Sequence, residues 1–310
     1  MDINNLILNH RNGYCLRLAN GQGWYILGLE GVSSWVKKLA SIMELKACEQ
    51  NGSPKLVFFP KGSPREKSEK PMWALDTSMV KDLPMGGWKS HNFGALTLWS
   101  NGEAADAICE IGSEELPEID IIRMWQSLNP IYQRAQDVGG LPLHAALVER
   151  DEMGVLLVAP GDGGKSTCCG RLPAPWHALC DDETLIVCDT QKKYFAHPFP
   201  TWSDYLWRRS ERTWDVQQFV SLSAIFFLEQ AETDVVVPAG RGKAAILINQ
   251  SATQVGQRSW ISLQPEEARV FKKRLFENAC EIARAVPTYI LRVSLTGRFW
   301  EKIEGVIRQD

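Results

Sequence analysis

One segment of the 310-residue chain constrains its fold more than any other. Residues 154–158 (GVLLV) form an apolar run typical of a buried β-strand, and they lead into the glycine-rich turn APGDGGKST at residues 159–167. Glycines in such a turn let backbone N–H groups face phosphate oxygens, and a following helix adds the partial positive charge of its N-terminus. The segment therefore has the layout of a P-loop and predicts an α/β domain that binds nucleotide phosphates.

Two side chains of this turn have separate expected roles. Lys165 is expected to reach the β- and γ-phosphates, and the Ser166 hydroxyl is expected to ligate Mg²⁺. The strict pattern has a glycine where this chain has Ala159, but Pro160 and Gly161 retain the turn chemistry. A purely structural glycine-rich turn is the alternative interpretation. The predicted cofactors are ATP or GTP with Mg²⁺, held by Gly161, Asp162, Gly163, Gly164, Lys165, Ser166 and Thr167.

Two further groups near the turn are candidates for chemistry. Three acids at residues 181–183 (DDE) precede an apolar strand pattern, and their mutual repulsion favours a cation partner, either Mg²⁺ or a basic group. An acidic turn before a strand is the alternative. His144 lies upstream on another apolar strand pattern, where a lone histidine is usually a core residue with satisfied hydrogen bonds.

The order of these motifs is similar to that of a known kinase family. A histidine on a strand, a GxGGKST-type loop about 20 residues later and an Asp-Asp pair at a strand start resemble the C-terminal catalytic domain of HPr kinase/phosphorylase. This resemblance covers roughly residues 139–290. Nearly the whole chain, including residues 195–204 (FAHPFPTWSD), resembles the HPr-kinase-related SynChlorMet cassette protein family ScmC.

The resemblance implies roles for individual residues. Lys165 and Ser166 would hold the phosphates and Mg²⁺. Of Asp181 and Asp182, one carboxylate would be the general base on the acceptor hydroxyl and the other would support the metal. We assign the metal-supporting role to Asp182. His144 would orient or polarise the Asp pair.

The sequence leaves two functions open. The first is a Mg-nucleotide-dependent kinase of the HPr-kinase type, which transfers the γ-phosphoryl of ATP to a side chain, such as a hydroxyl, of a peptide or protein encoded in the same biosynthetic cassette. The second is a nucleotide-binding accessory protein or NTPase that regulates or presents a peptide without transferring phosphate. The Asp pair with His144 favours the first, because a binding module needs no general base. Translation- and Ras-type GTPases are excluded, since the chain has no Asn-Lys-x-Asp guanine specifier.

Weaker candidates for contact with the acceptor lie downstream. Arg241 or Lys243, in the glycine-containing segment at residues 239–243, could supply a cation to the transition state, and a solvated loop is the alternative. Residues 197–209 interleave aromatic and basic side chains, a composition that suits a peptide-binding lip or base stacking. Packing of a helix against the core is the alternative there. The candidate substrate residues from this stretch are Trp202 and Arg208.

The predicted fold class is α/β (α+β), with two domains. Residues 1–130 contain hairpin patterns around residues 20–23 and 101–102 and a helix pattern for which Ser33 is a plausible N-cap. These patterns are typical of a small α+β domain, to which we assign substrate or partner recognition. Residues 131–310 are expected to form an HPr-kinase-like P-loop catalytic domain with a central mixed sheet. The boundary is expected within residues 114–136. Residues 60–71 (PKGSPREKSEKP) are charged and proline-bounded, which predicts an exposed loop.

Composition and charge narrow the range of partners. With 34 Lys+Arg against 37 Asp+Glu and a net charge of −3, the chain offers no general attraction for nucleic acid or an anionic membrane. Neither a secretory signal nor a run of 18 apolar residues is evident, which predicts a cytoplasmic protein. The eight cysteines include no CxxC pair, so we expect reduced thiols instead of a zinc or redox site. The sequence does not indicate an oligomeric state.

Overall fold

The structure is a computed structural model that describes residues 13–50, 52–61, 87–112, 117–260 and 263–307. Its strands form two mixed sheets connected by helices, which confirms the predicted α/β (α+β) class. The strands are β1 (Gly13–Arg17), β2 (Gly23–Gly28), β3 (Lys46–Cys48), β4 (Lys55–Pro60), β5 (Trp88–Asn92), β6 (Leu96–Asn101), β7 (Ala107–Ile111), β8 (Leu141–Arg150), β9 (Met153–Val158), β10 (His177–Cys180), β11 (Glu183–Cys188), β12 (Tyr194–Phe199), β13 (Val220–Gln230), β14 (Val235–Pro238) and β15 (Thr288–Val293). The helices are α1 (Ser33–Ile42), α2 (Pro117–Gln126), α3 (Asn129–Asp137), α4 (Lys165–Arg171), α5 (Trp202–Leu206), α6 (Arg241–Trp260), α7 (Pro265–Ala285) and α8 (Phe299–Ile307).

The first sheet has the strand order β3-β1-β2-β4-β7-β6-β5. Its central strand, β4, runs parallel to β2 and to β7, and the remaining pairs are antiparallel. The hairpins predicted around residues 20–23 and 101–102 are confirmed as β1–β2 and β6–β7. Helix α1 packs on β2. Ser33, a plausible N-cap from its sequence, is instead the first helical residue, because the cap position falls on Val32.

A disulfide joins Cys15 on β1 to Cys48 on β3. Antiparallel pairing of these two strands brings together thiols that are 33 residues apart in the sequence. The expectation of reduced thiols is therefore wrong for this pair. The free cysteines are Cys109, Cys168, Cys169, Cys180, Cys188 and Cys280.

The second sheet contains β8 to β15 and positions the residues of the predicted site. Strand β9 lies between β8, to which it is antiparallel, and β13, to which it is parallel. Strand β13 also runs parallel to β15, whereas β8, β11 and β12 pair antiparallel in succession. The apolar run that preceded the glycine-rich turn in the sequence is buried along β9, as expected for a strand covered on both faces.

Among the described residues the largest hydrophobic cluster spans both sheets, and each sheet also packs a smaller cluster of its own. A single cluster of buried side chains includes Leu16 and Phe58 of the first sheet and Leu156 and Ile225 of the second. In the sequence, helices α2 and α3 follow the last strand of the first sheet and precede β8, the first strand of the second sheet. The division into domains at residue 130 stays a prediction.

Some expectations concern residues that the structure does not describe. Residues 62–71 of the predicted charged loop lie outside the described residues, as do residues 113–116 near the predicted domain boundary. Where helices are described, none combines the length and the apolar character needed to cross a lipid bilayer.

His197 connects β12 to the N-terminal part of the chain. Its imidazole is fully buried, the backbone N–H of Ala19 donates to Nε2 at 3.0 Å, and Nδ1 donates to the Val216 carbonyl at 2.9 Å. These two contacts fix the neutral tautomer with its proton on Nδ1. Burial lowers the pKa of His197 to about 4, although the backbone carbonyls around it act in the opposite direction.

This histidine should make the protein less stable at acidic pH. Between pH 6.5 and about 4 the unfolded chain binds a proton at His197 that the folded chain does not, so the free energy of unfolding falls as the pH falls. The full effect is about 3 kcal/mol. Urea denaturation at a series of pH values measures it: His197→Gln should depend less on pH than the wild type, and His177→Gln, at an exposed position, should follow the wild type. Equal pH dependence of wild type and His197→Gln would contradict the prediction.

Candidate active site

The glycine-rich turn predicted from the sequence connects β9 to α4, which begins at Lys165. Gly164 has a φ of +95°, a left-handed conformation that glycine adopts at little cost. A Cβ built at Gly163 would lie 2.5 Å from the Ala159 Cβ and 2.9 Å from the Pro160 carbonyl oxygen. The turn is therefore too tight for a side chain at Gly163, and this absence of a side chain makes room for the Ala159 methyl group.

Lys165 points back into this turn. Its side chain is buried, and Nζ donates to the carbonyl oxygens of Ala159 at 3.0 Å and Pro160 at 3.3 Å. Nζ also lies 3.1 Å from Nε2 of His144. Burial lowers the pKa of Lys165, while the negative charges of residues 181–182 act to raise it. The ammonium group thus lies between the turn and the Asp pair.

Strand register brings the dispersed site residues together. On antiparallel β8 and β11, Glu183 pairs with His144, which places residues 181–182 just beyond this pair. Glu183 also pairs with Phe199 on β12, so the chain that follows β12 passes the same Asp pair. On the other edge of β8, Val158, the last residue of β9, pairs with Ala145. Because Ala145 follows His144 directly, the glycine-rich turn starts beside this histidine. Three strand ends therefore form one site.

The two aspartates have different partners. Oδ1 of Asp182 lies 2.8 Å from Nε2 of His144, whereas Asp181 accepts a hydrogen bond from the Thr201 hydroxyl at 2.7 Å. Burial alone would raise the pKa of Asp182, but the hydrogen bond and charge of His144, together with the charge of Lys165, hold this pKa below its usual value. Asp182 is therefore kept ionised.

Glu183, the third acid of the sequence triplet, belongs to the interior. Its carboxylate is 3% exposed and accepts hydrogen bonds from the Trp125 indole N–H at 3.1 Å and from the Tyr132 hydroxyl. Burial and the charge of Glu183 raise the pKa of Tyr132, so the phenol stays protonated and donates. The three adjacent acids therefore do not share one environment: Glu183 faces the interior, whereas Asp181 and Asp182, the pair assigned roles from the sequence, contact Thr201 and His144.

Helix α6 holds His144 on the side opposite to Asp182. The Gln254 side-chain oxygen contacts Nδ1 of the ring, and the Ser251 hydroxyl donates to the His144 backbone carbonyl at 3.1 Å. With Nδ1 occupied by Gln254, Nε2 is the ring nitrogen presented to Asp182 and Lys165. His144 is therefore a polar junction between helix, turn and carboxylate, and not an isolated core histidine.

Sequence reasoning missed three of these partners, Thr201, Ser251 and Gln254. Gln254 lies 110 positions from His144 in the sequence, and no local motif marks it. Residues three apart lie on the same side of a helix, which is why Ser251 and Gln254 reach the same histidine. The role of Thr201 becomes visible only once the β11–β12 register is known. The one signal that the sequence offered for these partners was the three-residue spacing of Ser251 and Gln254, which places both on one side of a helix.

The weaker substrate candidates do not gather at the Asp pair. Trp202 is 1% exposed and packs in the core, so its assignment as a substrate residue is wrong. Arg208 is exposed and forms an ion pair with Glu118 on α2 at 3.1 Å. Arg241 begins α6 and is exposed, and within the described parts of the chain it forms no ion pair with residues 181–182.

The residues at the site fit a magnesium ion that arrives with a nucleotide. Across the described ranges, no group of three or more His, Cys, Asp or Glu side chains is arranged to hold a metal by itself. Mg²⁺ at nucleotide sites is usually held by one or two protein oxygens together with phosphates and water. Ser166, exposed in the first turn of α4, and the ionised Asp182 are the two oxygen donors of this kind.

The residues of this site lie within the part of the chain that matches a known protein family. A family model described as SynChlorMet cassette protein ScmC matches residues 107–308. The match begins at β7 and includes the glycine-rich turn, the Asp pair and the α6 residues that hold His144. A search of curated proteins finds no match to the chain.

Proposed function

This chain belongs to the SynChlorMet cassette protein family ScmC, and we propose that it transfers the γ-phosphoryl group of ATP to a hydroxyl of a peptide or protein. The observation that carries this proposal is one junction at the tight turn, where Nε2 of His144 lies 3.1 Å from Nζ of Lys165 and 2.8 Å from the carboxylate of Asp182. Phosphoryl transfer depends on positioning and charge neutralisation more than on covalent catalysis. A tight turn, a buried lysine and a carboxylate pair supply both requirements.

The glycine-rich turn is the proposed phosphate site of an HPr-kinase-like P-loop. Backbone N–H groups of residues 161–167 would face the phosphate oxygens, and Lys165 would exchange its carbonyl contacts for the β- and γ-phosphates. Mg²⁺, when bound beside Ser166 and Asp182, would neutralise charge on the phosphates. These contacts are made to phosphate groups, so they serve GTP as well as ATP.

Asp181 is the proposed general base. The pKa of Asp182 is lowered by His144 and Lys165 despite burial, which makes that carboxylate a weaker base. Asp181 instead has a neutral donor, the Thr201 hydroxyl, which orients one carboxylate oxygen. In the transfer, Asp181 takes the proton of the acceptor hydroxyl while the hydroxyl oxygen bonds to the γ-phosphorus. The bond from that phosphorus to the β–γ bridging oxygen breaks, and ADP leaves.

The proposed acceptor is a peptide or protein of the same biosynthetic cassette, in keeping with the description of the family. We place the reaction in the cytoplasm, where ATP and newly made peptides are both present. Disulfides are rare in that compartment, so the Cys15–Cys48 bond is the feature of the chain that fits this placement least.

A direct test combines the full chain with γ-labelled ATP, Mg²⁺ and candidate precursor peptides. Labelled peptide that disappears on substitution of Asp181 supports the proposal. Release of labelled inorganic phosphate without labelled peptide would show an NTPase instead. Tight binding of Mg-ATP with neither product would show an accessory protein that regulates or presents a peptide.

The tight turn predicts different effects of alanine at two of its glycines. Gly163→Ala would place a Cβ 2.5 Å from that of Ala159, whereas a Cβ at Gly161 would meet nothing within 4 Å. We therefore expect Gly163→Ala to weaken Mg-ATP binding about 10- to 100-fold, and Gly161→Ala to leave it nearly unchanged, as measured by isothermal titration calorimetry. Adding Ala159→Gly to Gly163→Ala should recover part of the affinity. Equal losses of Mg-ATP affinity in Gly163→Ala and Gly161→Ala would show that crowding at Gly163 does not determine nucleotide binding.

A further inference from the structure

A cleft of about 720 Å³ lies between α1, α2 and the turn that follows α5. We call it the interhelical cleft and define it by an apolar floor, Ile42 and Ile121, and by the rim cations Lys38, Arg208 and Arg209. Both floor side chains are buried. Because α1 belongs to the predicted N-terminal domain and α5 to the predicted catalytic domain, neither part of the chain forms the cleft alone.

Among the described residues that line the cleft, the three cations outnumber the two acids by one. Arg208 pairs with Glu118 at 3.1 Å, so this pair is locally neutral. Lys38 and Arg209 are exposed, and Glu211 is the second acid that lines the cleft. An apolar floor below a net-positive rim is complementary to a peptide that carries an acidic side chain close to an apolar one.

Helix α5 connects the cleft to the proposed base. Thr201, which donates to Asp181 at 2.7 Å, immediately precedes this helix, and Tyr205 on the same helix lines the cleft. Four helical residues advance about 6 Å, so Thr201 beside the base and Tyr205 at the cleft are about one helical turn apart along the backbone. Burial and then the charge of Asp181 raise the pKa of Asp204, whereas Arg209 acts to lower it, so a rim cation and the base act on the same carboxyl.

An exposed tryptophan stands beside the rim. Trp207 is 70% exposed, and it directly precedes Arg208, whose φ of 51° lies in the left-handed region that non-glycine residues rarely adopt. Large aromatic side chains bury much area each and are enriched among the residues that dominate binding energy. Trp207 does not line the interhelical cleft itself, so its exposed ring is available only to the part of a peptide that extends beyond the rim.

We propose that the interhelical cleft docks the acceptor and that the acceptor is an acidic peptide. This inference rests on the proposed phosphoryl transfer and adds its substrate class. A Glu or Asp side chain of the peptide lies against Lys38 and Arg209, an apolar side chain lies on the floor, and the acceptor hydroxyl reaches Asp181. An extended peptide advances about 3.3 Å per residue, so the hydroxyl lies about two or three residues from the acid.

The test begins with binding. Two fluorescein-labelled synthetic peptides share one serine and one leucine and differ only in carrying glutamate or lysine two and three residues from the serine. By fluorescence anisotropy with the full chain at low salt, the glutamate peptide should bind at least about tenfold more tightly than the lysine peptide. Equal binding of the two peptides, or no detectable binding of either, overturns the proposal.

Charge reversal locates the binding site. Lys38→Glu combined with Arg209→Glu should abolish or invert the preference for the glutamate peptide. Lys37→Glu is the control matched to the Lys38 substitution, because it makes the same charge change as Lys38→Glu at an exposed position on the same helix but outside the cleft. Thermal unfolding verifies that each variant folds. Retention of the preference in the double variant, or its loss in Lys37→Glu, overturns the proposal.

The same peptides with γ-labelled ATP and Mg²⁺ separate docking from chemistry. Faster labelling of the glutamate peptide, with a raised KM for peptide in the double variant, supports both proposals. If the preference and its reversal are seen in binding but no peptide is labelled, the docking site stands and the proposed transfer fails. If both peptides are labelled at equal rates with equal KM, the transfer stands and the acidic docking site fails.

Discussion

Asp181→Asn should reduce the transfer of labelled phosphate to a peptide by about 10²- to 10⁴-fold, the contribution typical of a general base, with little change in affinity for Mg-ATP. The substitution is nearly isosteric, and the new amide oxygen can still accept the hydrogen bond that Thr201 donates. His144 contacts Asp182 and not Asp181, so the junction with the turn lysine remains in place. Single-turnover labelling measures the transfer, and calorimetry measures the affinity.

Asp204→Asn is the matched control for this variant. The pKa of Asp204 is raised by burial and then by the charge of Asp181, so the two carboxyls share one electrostatic environment, yet Asp204 has no proposed part in the reaction. The control removes the same charge and should retain most of the transfer. Equal losses in the two variants, or a parallel loss of Mg-ATP binding in Asp181→Asn, would exclude Asp181 as the base.

Lys165→Met should weaken Mg-ATP binding by about 10- to 100-fold, because a hydrogen bond to a charged group contributes roughly 1.5–3 kcal/mol. Methionine has a similar length and suits a buried position, so the turn should keep its shape. Burial already lowers the pKa of Lys165, which shows that the folded protein holds this cation at a desolvation cost. Loss of the ammonium removes this cost but leaves the carbonyl oxygens of Ala159 and Pro160 without their donor, so the two effects offset each other. The melting temperature without nucleotide should change little, while the thermal stabilisation by Mg-ATP should be lost.

Lys243→Met provides the comparison. Lys243 lines a cavity of about 140 Å³ together with Ala159 and Pro160, so it lies at the same turn as Lys165. Its side chain is 58% exposed, and its Nζ lies 3.7 Å from a carboxylate oxygen of Glu229. An exposed ion pair of this kind contributes little to the free energy of unfolding. This variant should bind Mg-ATP almost as the wild type does. Similar losses at both lysines would mean that net charge near the turn, and not direct contact by Lys165, determines nucleotide affinity.

The strand, turn and helix at residues 154–171 could be predicted because their signals are local. A short apolar run identifies a buried strand, and glycines that permit a left-handed or crowded backbone identify the turn, as Gly163 and Gly164 show. The adjacent acids were candidates from their local charge repulsion, whereas a role for His144 was assigned only through resemblance to a family. Their hydrogen bond requires the β8–β11 register, and no local pattern contains that information.

Properties set by packing between distant segments could not be predicted. Adjacent acids 182 and 183 look equivalent in the sequence, yet one faces the site and the other accepts hydrogen bonds in the interior. Trp202 and Trp207 lie in one aromatic-basic stretch, but the first is buried and the second is exposed. Which side of a short helix meets the core depends on elements elsewhere in the chain, and composition does not report it.

The position of Glu183 links the floor of the interhelical cleft to the Asp pair. Its carboxylate is hydrogen-bonded to Trp125, and Ile121, one turn earlier on the same helix, forms part of that floor. Glu183 directly follows Asp182 in the chain, so one hydrogen bond and one peptide bond separate helix α2 from the carboxylate that contacts His144.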